Sequence, residues 1–140
     1  MNIQKDFLRN ADLGLLVLRV ALGGLMLFHG IHKLIYGVGF IGGMLASMGL
    51  PSFIAYGCLL GEVVAALMLV IGLWTRAAAL VFAGNMAVAI LMAHLGTFFA
   101  VDPMTGGWTV ELPMLYLLGA VSLFFTGGGK YALTKNSVVD

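Results

Sequence analysis

"LGLLVLRVALGGLMLFHGIHK", residues 13–33, is an apolar run broken by a single arginine before it closes on two histidines and a lysine. A helix crossing a hydrocarbon core ~30 Å thick needs about 20 apolar residues, and this run has that length. The fold class turns on whether the rest of the chain repeats it. Three further segments do so or nearly do, at about 53–73, 77–96 and 110–127. The composition agrees: 61% of residues are hydrophobic, 9% are charged and the mean hydropathy is +1.07. Soluble domains use roughly 45–50% apolar residues. The expected fold is therefore all-α and integral to the membrane, a single domain over residues 1–140 built as a four-transmembrane-helix bundle in a lipid bilayer.

The connections fit that plan. Between the first two spans lies "GVGFIGGMLASMGLPS" (37–52), where Phe40, Met44 and Leu45 predict a short amphipathic helix on the interface, ended at Gly49 and Pro51. "WTR" (74–76) joins spans two and three tightly. "GTFFAVDPMTGGWT" (96–109) joins spans three and four, and its Phe98, Phe99 and Trp108 suit an interfacial aromatic belt. Four spans put both termini on one side. That side carries Lys5, Arg9, Arg76, Lys130 and Lys135, while the opposite loops carry only Lys33, so the positive-inside rule makes both termini cytoplasmic. Lys5 and Arg9 precede an apolar run without an A-x-A-like cleavage site, which reads as a retained anchor.

Composition also excludes some functions. A net charge of +1 gives no basic patch for nucleic acid. Cys58 is the sole cysteine, so there is no CxxC pair and no intramolecular disulfide; it reads as a small core residue. The nine methionines are scattered and read as packing material.

The informative residues are the polar ones at depth. At 1.5 Å per residue, Arg19 and Glu62 fall at depths that differ by no more than a side chain's reach, on antiparallel spans. A charge at mid-membrane costs about 2.5–3.5 kcal/mol, so the two are expected to meet. Such a couple is either a structural ion pair or the polar floor of a cavity. At 100° per residue Arg19, Gly23, Met26, Gly30 and Lys33 share one stripe, whose glycines let another helix approach closely. The matching face of span two holds Cys58, Glu62, Ala65, Ala66 and Leu69, with Gly57 and Gly61 on its flank. Lys33 should then point into the bundle near its outer mouth, with His29 on the flank of the stripe and His32 among the headgroups. Span three offers Asn85 and His94 on opposite faces, and periodicity leaves the choice between them open. Glu111 opens span four at the outer surface. The expected polar pocket thus comprises Arg19, His29, Lys33, Glu62, His94 and Glu111. His29, His94 and Glu111 are metal-ligand types, but no spacing such as H-E-x-x-H joins them, and no metal is assigned.

These positions resemble the DoxX family of small four-span bacterial membrane proteins. The resemblance covers about residues 15 to 134. It rests on Arg19, "HGIHK" (29–33), "MGLP" (48–51), "GE" (61–62), "GLWTR" (72–76) followed by "AAAL", His94, and "TGGGKYAL" (126–133), in that order and spacing. The resemblance favours His94 over Asn85. It implies a bacterial cytoplasmic membrane location and a relation to the DoxD-type subunit of thiosulfate:quinone oxidoreductase.

Three functions follow. The first is a quinone-linked redox subunit, in which His94 and Lys33 hold the quinone and His29 or Glu111 moves protons, chemistry that histidine and carboxylate side chains suit. The chain has no haem, flavin or iron–sulfur motif and no complete catalytic motif, so electrons would come from a soluble or membrane redox partner. The second is a non-enzymatic scaffold that docks such a partner. The third is a small-solute or proton carrier, which with four spans would need a homo-oligomer.

Overall fold

The computed structural model describes residues 8–140; Lys5, one of the charges used for orientation above, lies outside the described residues. The elements are α1 (Ala11–Tyr36), α2 (Gly39–Ser47), α3 (Ser52–Ile71), α4 (Thr75–Ala93) and α5 (Glu111–Thr126). α3 is not uniform. It opens with a 3-10 stretch Ser52–Gly57, passes through a π-helical stretch Leu60–Ala65 and closes as α-helix Ala66–Ile71.

α1 begins where Asn10 accepts the Leu13 amide at 3.0 Å and Asp12 meets the positive end of the helix dipole. It ends at Gly37, whose φ of +85° suits glycine. α1, α3 and α4 are long and apolar enough to cross a membrane. The chain is thus a multi-pass membrane protein. α2 is the expected short helix between the first two spans. It turns Gly42 and Leu45 inward, and the Leu50 amide closes back on the Leu45 carbonyl at 2.9 Å, over Gly49 at φ +77°. α5 takes the place of the fourth span but has 16 residues, about 24 Å of helix, short of a ~30 Å core.

The core is built by close approach. A Cβ on Gly30 would fall 2.5 Å from the Glu62 carbonyl oxygen, and one on Gly23 would strike the Ala66 backbone. α1 and α3 therefore touch backbone to backbone along the stripe read from the sequence. α4 and α5 close the other side, with the Phe82 and Tyr116 rings 5.9 Å apart and Leu69 and Leu123 fully buried. Outward-facing Val17, Leu25, Phe28 and Leu91 are exposed, as lipid-facing residues must be.

The chain after α5 folds back over one end of the bundle. The Lys130 amide donates to Asp12 at 3.0 Å, and the Thr134 amide donates to the Gly72 carbonyl at 3.2 Å. Trp74 sits at φ +44°, an uncommon position for a bulky residue, and its amide is held by the Thr134 hydroxyl oxygen at 2.9 Å. The Thr134 hydroxyl also donates to Asp140 at 2.6 Å, which holds that carboxyl below the usual range. We call this the tail end, and the opposite end, where α1 stops and α5 starts, the loop end.

Gly30→Ala should lower the unfolding midpoint of the detergent-solubilised protein, because overpacking a tight contact costs about 1–3 kcal/mol. Gly24→Ala, with open space at its Cβ position, should leave it unchanged or raise it slightly. Equal midpoints for the two variants in a thermal melt would contradict the close α1–α3 contact.

Candidate functional site

The two charges expected to meet at mid-membrane do not. Arg19 is fully buried at the tail end. Its Nε donates to the Gly128 carbonyl at 3.1 Å, and its Nη1 donates to the carbonyls of Leu69 at 2.9 Å and Val70 at 3.2 Å. The last carbonyls of a helix have no partner within it and carry the negative end of its dipole. Arg19 is therefore a cap on α3 supplied from α1. The expected Arg19–Glu62 couple is corrected on two grounds. α1 runs on to Tyr36, which puts Arg19 about 4.5 Å deeper than a helix ending at residue 33 would. The glycine contacts also set Glu62 level with Gly30, about 16 Å along α1 from Arg19. Arg76 repeats the device. Its Nε donates to the Phe124 carbonyl near the end of α5 at 2.7 Å, its Nη1 donates to Val138 at 2.8 Å, and its guanidinium lies 5.0 Å from the Phe124 ring centre.

Glu62 meets Lys33 instead. Oε1 lies 2.5 Å from Lys33 Nζ, with the Glu62 side chain 7% exposed and the Lys33 side chain 26% exposed. This is the only ion pair among the described residues. Glu62 Oε2 is buried and has no hydrogen-bond partner among the described residues, as is also true of Arg19 Nη2 and Thr75 Oγ1 at the tail end. The residue sits in the π-helical stretch of α3, a backbone form that is rare and concentrated at functional sites. Beside it, Gly61 leaves a notch: a Cβ there would collide with Asn85 Cβ and Cγ. Asn85 is half-buried, and its carboxamide makes no hydrogen bond among the described residues.

The other expected residues gather at the same loop end without bonding to the pair. His29 is exposed on the flank of α1, next to Gly30. His94 is half-buried and is the C-cap of α4, at φ −127° and ψ 9°, already outside the helix. Asn85 and His94 are therefore not alternatives on one helical wheel, since the wheel ends at Ala93. Glu111 is exposed at the start of α5, and its carboxylate lies over Gly107, where a Cβ would come within 2.7 Å of Oε2. His32 is exposed and stacks on Tyr36 at 4.6 Å. No group of three or more His, Cys, Asp and Glu side chains among the described residues is placed to hold a metal. Gly61, a small residue beside the buried acid, is the sequence signal for the close approach of α4 at Asn85.

Residues 14–95 match the model of the DoxX family. The chain is 32% identical over 125 residues to a Bacillus subtilis protein named "Putative oxidoreductase CatD", covering 89% of this chain and 87% of that one. It is 31% identical over 120 residues to an uncharacterized protein of Haemophilus influenzae, covering 83% of this chain and 84% of that one. No solved structure matches it.

Replacing Arg19 by Met should destabilise the fold strongly, because three carbonyls lose a charged donor and each such bond is worth about 1.5–3 kcal/mol. Arg19→Lys should recover only part of the loss, since an ammonium cannot span the same fork. A thermal melt checks both, and a wild-type midpoint for Arg19→Met would remove the capping role.

Lys33→Met should cost about 1–3 kcal/mol by leaving a buried carboxylate unpaired. Adding Glu62→Gln to it should recover much of that loss, and a double-mutant cycle in denaturant measures the coupling. Additive effects would mean that the two side chains do not interact.

Proposed function

The chain belongs to the DoxX family, and from that premise we propose that it is an integral membrane subunit of a redox system that handles a quinone at its loop end, on the outer face of the membrane. The observation that carries this reading is the buried Lys33–Glu62 pair with one carboxylate oxygen unpartnered, on a π-helical turn. Ionisable groups inside a membrane are expensive, and they mark proton, ion or substrate paths. The donor set fits a quinone. Lys33 offers ammonium hydrogens to a ring oxygen, Asn85 offers a carboxamide, and Glu62 Oε2 is free to accept. When bound, a quinone couples electron transfer to proton transfer.

The chain's own residues would then divide the work. Lys33 orients a ring oxygen and neutralises charge near it. Glu62 holds or releases a proton at Oε2. His94, half-buried beyond the end of α4, and the exposed His29 and Glu111 relay protons between the pair and the outer surface. Electrons come from a soluble or membrane redox partner, and the name of the Bacillus subtilis relative, "Putative oxidoreductase CatD", supports a redox setting. Arg19 contributes to this site only indirectly, by fixing the register of α1 on α3.

For topology, we take α5 as a fourth, short crossing. The chain after it returns to the start of α1, where Lys130 bonds Asp12, and Arg9, Arg76, Lys130 and Lys135 collect at that end. The positive-inside rule makes this end cytoplasmic, in the bacterial inner membrane.

Titration of the purified protein with a short-tailed benzoquinone should give saturable binding. Glu62→Gln and Lys33→Met should each weaken it by about 10-fold to 100-fold, the worth of one charged hydrogen bond. His94→Ala should slow proton-coupled turnover with the partner more than it weakens binding. Absence of binding to the parent protein would overturn the reading.

A further inference from the structure

A cleft of about 190 Å³ runs between α3 and α4, on the outside of the bundle. Its floor is made of small residues, Ala65, Ala77 and Ala78. Its walls are Leu60, Val64 and Met68 on α3 and Val81 on α4. Leu60 is 59% exposed, and Val64 and Val81 are 48% exposed each, so the cleft faces lipid. From Leu60 to Met68 it is about 12 Å long at 1.5 Å per residue.

The cleft itself is lined only by apolar residues, and a polar one stands just past its end. Ala77 or Ala78, Val81 and Asn85 recur at three- and four-residue spacing, so they lie on one stripe of α4, and Asn85 stands one turn beyond Val81. Asn85 fills the notch at Gly61, next in sequence to Glu62. We propose that this cleft seats the hydrocarbon tail of a lipid-soluble quinone, with the Asn85 carboxamide holding the ring end at the level of Glu62. The inference rests on the quinone reading and names where the tail lies and which residue positions the ring.

The alternative occupant, a helix from a second copy, fits less well. Helices pack with axes 8–10 Å apart and ridges in grooves over several turns. This cleft spans about two turns. An apolar helix seam laid over it would also cover the Asn85 carboxamide without a partner, and a buried amide without a hydrogen bond is unfavourable. A single chain with a polar head at one end satisfies both the apolar cleft and the carboxamide just past it.

The test uses a benzoquinone with a decyl tail and the same ring without it. Binding of each is measured in one detergent to the parent protein, Val81→Trp, Val17→Trp and Asn85→Leu. Val81→Trp fills the cleft; Val17, 61% exposed on α1 and not part of the cleft, reports any general effect of an added indole on the lipid face. Val81→Trp should weaken the decyl quinone by about tenfold or more and leave the tail-less ring unchanged. Val17→Trp should match the parent for both, and Asn85→Leu should weaken both. If Val81→Trp binds the decyl quinone as the parent does, the tail site is wrong and the redox reading stands. If Asn85→Leu binds both rings as the parent does, the positioning role is wrong. If neither quinone binds the parent protein, the redox reading fails and takes the tail site with it.

Discussion

Arg19 carries its charge into the bundle among backbone carbonyls, and three separate parts of the chain are tied to it. Leu69 and Val70 end α3, Gly128 begins the returning tail, and α1 supplies the guanidinium. The magnitudes explain why an arginine is tolerable there. Insertion costs about 2.5–3.5 kcal/mol. Three bonds from a charged donor are worth about 1.5–3 kcal/mol each, and they satisfy carbonyls that would otherwise be orphaned at a buried helix end. With α3 pinned at this point, the glycine contacts at 23 and 30 fix where every residue of α3 lies against α1. Glu62 is delivered to Lys33 as a result. A slip of one turn, about 5.4 Å, would leave both charges alone in an apolar bundle.

The pair at the other end obeys different arithmetic. At an effective dielectric of 20, opposite charges 4 Å apart attract by about 4 kcal/mol. Burying two charges costs about 5–7 kcal/mol on the same insertion scale. The pair is close to break-even, and stability is a weak reason for it to exist. The π-helical turn points the same way, since a regular α-helix over residues 60–65 would have met no local obstacle such as proline. The loop end therefore holds the feature that packing alone leaves unexplained, whereas the buried charge at the tail end is accounted for by capping.

Much of this was legible in the sequence, and the failures are instructive. Helical angles alone identified the stripe Arg19, Gly23, Met26, Gly30 and Lys33, and all of it but Lys33 is buried. The small-residue face at Ala65, Ala66 and Leu69 was legible by the same means and is also buried. Depth was not legible. A uniform rise from the apolar segment bounds misplaces it, because α1 runs three residues further and α3 begins in 3-10 and π turns. Nor does a sequence show that an arginine can be satisfied by carbonyls, because backbone acceptors carry no letter. For a related reason a helical wheel does not relate Asn85 to His94, which lies past the last helical residue, Ala93.

Division of labour between the two ends follows from these constraints. At the tail end Arg19 and Arg76 each close a neighbouring helix on its terminal carbonyls, and α3 and α4 are joined by a turn that the chain's own tail holds in place. Such an end cannot open without losing several charged hydrogen bonds at once. At the loop end the α4–α5 connection is bonded mainly within itself, and among the described residues the helices there are tied by one side-chain ion pair, beside an unpartnered carboxylate oxygen and an unpartnered carboxamide. Local openings in proteins draw on the regions with fewest such contacts. A membrane-soluble ligand entering from the side would meet its least resistance there, above the alanine floor of the α3–α4 cleft and beneath the connections that join α1 to α3 and α4 to α5.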